Sequence, residues 1–159
     1  MAYQQAFELD DENESLIINM ARFAKRQGDM KLHASLAKRV KRIRLRNPYH
    51  HFLLARLSFE QGALKESKKR LNKAIALFDA DARFYAFRAR VNQNIGHHRR
   101  ALKDWVRAEQ LAQSSSERFA YGAKAAWTSS RYHLKMPDHE FSKTNQSMYE
   151  RFQFLRFLN

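Results

Sequence analysis

Arg22, Arg56, Arg90 and Lys124 follow one another at a constant spacing of 34 residues. A guanidinium holds its charge at any physiological pH and presents a planar fork of donors, so cations gathered on one surface would grip carboxylates or phosphates two oxygens at a time. Lys25, Arg26 and Arg83 are close enough in sequence to join them. Tyr49, Phe52, Phe59, Phe87 and Trp127 set aromatic rings among these cations. Rings beside arginines suit an apolar anchor of a bound peptide, or stacking of unpaired bases; at helical spacing they are more often core.

A second basic feature is the run Lys38, Arg39, Lys41, Arg42, Arg44 and Arg46, interrupted by Val40, Ile43 and Leu45 and followed later by Lys68, Lys69, Arg70 and Lys73. On a helix it reads as an apolar stripe with cations on the outer side. Phosphate backbones or an anionic membrane surface bind such a patch in a salt-dependent way, and a merely solubilising face has the same look. No recognition helix or RNA-binding motif accompanies it.

Catalytic chemistry has little to work with. His50 with His51 and His97 with His98 are adjacent pairs, and neighbours on a helix point in different directions, so neither pair makes a metal site; His133 and His139 are weaker candidates still. The chain has no cysteine, which removes thiolate nucleophiles, Cys-ligated zinc and iron–sulfur clusters. Gly-rich phosphate loops, a nucleophile elbow and a spaced His–Glu–His motif are all missing from the sequence. The expectation is a non-enzyme with no catalytic residue, no metal ligand and no cofactor.

The elements that position these side chains follow from composition and period. The 159 residues hold 30 Lys and Arg against 16 Asp and Glu, a formal net charge of +14, with only 4 Gly and 2 Pro. Few turn formers among abundant Ala, Leu, Lys, Arg and Gln favour an all-α chain of one domain. Mean hydropathy is −0.71. Neither a signal peptide nor a run of about 18 apolar residues is present, so no membrane span is expected and a cytoplasmic location is the default. Glu8, Asp10, Asp11, Glu12 and Glu14 precede the first basic residue, Arg22, so an acidic leader (1–13) introduces a strongly basic body. Such a body attracts anions at long range.

Three of the four glycines, Gly28, Gly62 and Gly96, stand 34 residues apart, each between two stretches of helical period. Glycine suits that place because the residue ending a helix commonly turns left-handed. The small residues keep the same register: Ala21, Ala55, Ala89 and Ala123 seven places before the turn, and Val40, Ala74 and Ala108 twelve places after it. The pattern predicts three helix pairs over 14–47, 48–81 and 82–115. Ser114 to Ser116 with Glu117 then start a capping helix over 116–134. Pro137 marks a break, and the aromatic segment 135–159 is expected to form a short helix docked on the last repeats or on another copy, with self-association as one consequence.

This arrangement resembles the tetratricopeptide repeat family. In the third repeat the matching residues are Tyr85, Ala89, Gly96, Ala101, Trp105 and Ala108; in the second Leu54, Ala55, Gly62, Ser67, Leu71 and Ala74; in the first Ile17, Ala21, Gly28, Ala37 and Val40. His33 stands where the family has a small residue, Arg88 and Asn92 where it has apolar ones, and the proline that ends a typical repeat is missing from its usual place, which marks a divergent member. The resemblance implies an α-solenoid, a right-handed superhelical array of antiparallel helix pairs with about three repeats plus the capping and C-terminal helices. It also implies that Arg22, Arg56, Arg90 and Lys124 face a concave groove. The functional expectation is an adaptor that takes an extended acidic or C-terminal peptide along those cations. RNA binding through the basic surface is the alternative. The acidic leader is expected to compete internally for the same groove.

Overall fold

The computed structural model describes residues 12–137. Most of the acidic leader, the end of the chain from 138 on, and the internal competition and self-association read there lie outside the described residues. Among those described are seven α-helices and no strand: α1 (Glu14–Arg26), α2 (Met30–Arg46), α3 (Pro48–Glu60), α4 (Leu64–Leu77), α5 (Ala82–Ile95), α6 (His98–Leu111) and α7 (Ser115–Arg131). They fall into two units, residues up to His50 and from His51 on, with the boundary inside α3.

Polar side chains start the helices. Asn13, Asp29, Asp81 and Ser114 each accept a backbone N–H from the first turn of α1, α2, α5 and α7, at 3.0, 2.9, 2.9 and 3.2 Å. Asn47 accepts in the same way from Tyr49 at the start of α3. Each such cap satisfies a donor that the helix itself leaves unmet.

The glycine turns are built alike. Gly28, Gly62 and Gly96 have φ of 77°, 75° and 87°, a left-handed conformation that a Cβ would strain. The N–H of the following residue then reaches back across the turn, Asp29 to Ala24, Ala63 to Ser58 and His97 to Asn92, at 3.0, 2.8 and 2.8 Å. This is the Schellman closure of a helix end.

In the first unit, Ile17 and Ala21 of α1 bury against Leu36 and Val40 of α2, flanked by Ile18, Met20 and Ile43. Arg44 near the end of α2 pairs with Glu14 at the start of α1 at 2.8 Å. In the second unit, Ala55, Leu71 and Val91 form one core with Phe52, Phe59, Leu64, Phe87 and Ile95 around it. A further core gathers Ala86, Ala89, Leu102, Trp105, Val106, Ala108 and Ala125 from α5, α6 and α7. Of the small-residue series, Ala21, Ala55, Ala89, Val40 and Ala108 lie in these cores, where small side chains let two backbones approach, while Ala123 is only partly buried.

The three departures from an apolar pattern have physical substitutes. His33 Nδ1 lies 2.8 Å from the carbonyl of Ala21, and Ser67 Oγ donates to the carbonyl of Ala55 at the same distance. Both side chains stand five residues after the turn glycine and tie the second helix of a pair to the first. Arg88 grips Asp104 with two donors at 3.0 and 2.7 Å and reaches Asn72 with a third at 3.0 Å. Asn92 Nδ2 donates to the same Asp104 carboxylate at 2.9 Å. One acid therefore takes up the guanidinium of Arg88 and the amide nitrogen of Asn92, donors that would otherwise be costly to bury.

Two outcomes follow for stability, both read from urea unfolding. Gly62→Ala and Gly96→Ala should each lose about 1 kcal/mol, and Gly96→Asn less, because the added Cβ meets no neighbour and only backbone strain is at stake. Asp104→Ala should cost about 3 kcal/mol by stranding Arg88, whereas the triple change R88L/N92L/D104A should recover most of that loss, since apolar replacement of a buried pair is near neutral. A D104A protein as stable as the parent would show that the network contributes nothing.

Candidate functional site

In the unit from His51 on, α3 places Phe52, Arg56 and Phe59 on one face, since residues four and three apart on a helix are neighbours. Arg56 is exposed, and the two rings are half-buried. From α5, Phe87 packs edge-on against both, with centroids 5.7 Å from Phe52 and 5.3 Å from Phe59. Phe84 lies beneath, 5.1 Å from Phe52. These rings therefore join α3 to α5 as well as offering apolar surface.

Arg90, three residues beyond Phe87, lies with its guanidinium carbon 4.9 Å from the Phe59 centroid. Such stacking fixes the plane of the fork without consuming its donors. Lys124 of α7 is held similarly, its Nζ 4.8 Å from the Trp105 centroid. Trp105 in turn stacks on Tyr121 at 6.2 Å. Burial, and then the carboxylates of Glu117 and Asp81, push the Tyr121 hydroxyl above its usual pKa, so it stays neutral and able to donate. Arg56, Arg90 and Lys124 have no carboxylate partner among the described residues.

Arg83 is differently employed. Its guanidinium meets both oxygens of the buried Asp81 carboxylate, the shortest contact being 2.5 Å, while the same carboxylate caps α5. Much of its hydrogen-bonding capacity goes to holding a helix end.

In the first unit, Arg22 lines a hollow of about 590 Å³ with Ile18, Val40, Lys41 and Arg44. Lys25 and Arg26 lie in the exposed last turn of α1, and Tyr49 is about half exposed at the start of α3.

A separate feature was not assembled from the sequence. A hollow of about 400 Å³ opens between α4, α5 and α6, walled by Lys68, Arg88, Arg100 and Lys103, with Asn72, Asn92 and Asp104 completing it. Arg88 and Arg90 are two residues apart on a helix and so point to nearly opposite sides of α5. Partial burial, then the positive charges of Arg100 and Arg88, hold Lys68 below the usual lysine pKa, with Asp104 partly offsetting them. His97 is lowered too, by desolvation and by Lys68, Arg100 and His98; Lys68 Nζ lies 3.3 Å from its Nδ1. The signal in the sequence was Arg88 and Asn92, polar residues four apart on a helix where packing calls for apolar ones.

No family model matches the sequence, and no curated protein matches it. Solved structures do. A crystal structure of MamA superposes on 99% of this chain and 85% of its own, with a TM-score of 0.56 and 13% identity. The crystal structure of YrrB, a TPR protein with an unusual peptide-binding site, covers 98% of this chain and 78% of its own, with a TM-score of 0.52 and 14% identity. At such identities the likeness speaks for fold alone. Together with the three helix pairs turned through left-handed glycines at a 34-residue period, and a seventh helix after them among the described residues, it shows that this chain is an all-α array with the tetratricopeptide-repeat fold.

Proposed function

We propose that this chain is a non-catalytic interaction module that takes an extended acidic or C-terminal peptide segment. In the unit from His51 on, Arg56, Arg90 and Lys124 supply the cations, and Phe52, Phe59 and Phe87 supply the ring surface between them. The observation that carries the reading is the placement of Arg90 over Phe59 at 4.9 Å with no carboxylate partner among the described residues. A charge that is held in place, and not neutralised from within, loses little conformational freedom when a ligand carboxylate arrives. Arg22, with Lys25 and Arg26 nearby in sequence and Tyr49 in the same unit, presents cationic and aromatic surface of the same kind. YrrB is a tetratricopeptide protein with a peptide-binding site, which is consistent with this use of the fold.

The formal net charge of +14 favours a second reading, nucleic-acid binding, carried by the basic run from Lys38 to Arg46. The two readings part on salt and on residues. Phosphate-backbone binding falls steeply as salt rises, because counterions are released, whereas a peptide held by paired carboxylates and buried apolar anchors is less affected.

Titration of the chain with an acidic peptide pool, and in parallel with single-stranded RNA, at low and moderate salt discriminates them. Peptide binding should persist at moderate salt and weaken about tenfold or more in R56Q/R90Q/K124Q, the loss expected for charge-assisted contacts. Binding of RNA that survives moderate salt, with peptide binding absent, would instead favour the nucleic-acid reading.

A further inference from the structure

The hollow between α4, α5 and α6 lies on the far side of α5 from Arg90 and plays no part in the peptide reading. Its walls carry four cations: Lys68 from α4, Arg88 from α5, and Arg100 and Lys103 from α6. Asp104 is the one acid among them, and its oxygens are already taken by Arg88 and Asn92. Three positive charges therefore share the hollow without compensation from its walls. Like charges at this spacing repel, which destabilises the folded chain unless an anion joins them. Desolvation first, and then the neighbouring cations, lower the pKa of Lys68 and of His97 beside it.

The floor is polar as well: Asn92 is 1% exposed, and its amide nitrogen is bound to Asp104. A volume of about 400 Å³ is in the range of small-molecule sites.

We infer that this hollow binds a phosphate monoester dianion, with Lys68, Arg100 and Lys103 around the phosphate and Arg88 behind them. The dianion matches the surplus charge better than a single carboxylate. Tetrahedral phosphate oxygens also accept from several directions at once, which suits cations drawn from two different helices. Arg88 serves twice in this arrangement. It anchors Asp104, and that pairing keeps the carboxylate from repelling the phosphate.

The group can be free or carried on a lipid, and the experiment separates the sources. Glycerol 3-phosphate supplies it in solution, and vesicles containing phosphatidic acid, against phosphatidylcholine vesicles, supply it on a surface. Calorimetric titration of the intact chain should show saturable binding of one of these probes, weakened about tenfold or more in K68Q/R100Q, the loss of two charge-assisted contacts. A charge-matched control, K31Q/K38Q, removes the same net charge from α2, outside the hollow's lining, and should change affinity by less than about twofold, the size of a non-specific charge effect. In the same titration the His97 ring, followed by NMR, should gain protons more readily, because the phosphate cancels the field of Lys68 and Arg100. Equal losses in both variants, an unmoved His97, or no saturable binding of either probe would overturn the assignment. None of these outcomes depends on peptide binding through Arg56, Arg90 and Lys124.

Discussion

A backbone reversal through a left-handed residue governs everything else in this chain. At Gly28, Gly62 and Gly96 the helix must end, turn and restart within a few residues, and each reversal is closed by the same backbone hydrogen bond. Because the reversals recur at one period, any residue a fixed distance from a glycine inherits the same local surroundings in its pair. Ala21, Ala55 and Ala89 are buried on that account. Arg22, Arg56 and Arg90, one residue further along, are exposed for the same reason. A core series and a surface series thus arise from one geometric rule, and the cations are where they are because the alanines beside them are inside.

The helices and their turns were legible because period, glycine and cap residues are all local signals. What stayed hidden was pairing between side chains distant in sequence. Arg88 and Asn92 read as lost packing, since periodicity registers polarity and not partners; their compensation by Asp104 depends on how α6 lies against α5. His33 read as a misfit in a place meant for a small residue, yet it makes the same reach to a carbonyl that Ser67 makes. The cation series at the 34-residue period was equally visible. Which arginines were already engaged was not: Arg83 is committed to Asp81 and Arg44 to Glu14. The half-buried state of Phe52, Phe59 and Phe87 reflects a ring cluster that sequence spacing alone could assign either to core or to surface.

Charge is used unevenly as a result. Acids placed at helix ends and between helices, Glu14, Asp81 and Asp104, are bound to particular arginines, and Glu66 pairs with Arg70 within α4 at 2.7 Å. Among the described residues the bases far outnumber the acids, so internal pairing can neutralise only some of them. Solvent-exposed ion pairs contribute little to stability, so an excess of exposed cations is tolerated energetically while giving the chain a strong positive field.

Modular arrays face a hazard that mixed folds avoid: their helices are close to interchangeable, and a chain can zip up against the wrong sibling. The Arg88–Asn92–Asp104 trio opposes that error. The place held by Asp104, eight residues beyond the glycine, is occupied by Leu36 in α2 and Arg70 in α4. With Leu36 or Arg70 in the place of Asp104, Arg88 would face a hydrocarbon or a like charge and Asn92 would lose its acceptor; the native contact of α5 with α4 runs through Asn72 instead. At that place α6 alone of the three offers an acid, so a feature that looks like a flaw in the repeat gives α5 a partner that α2 and α4 do not supply there.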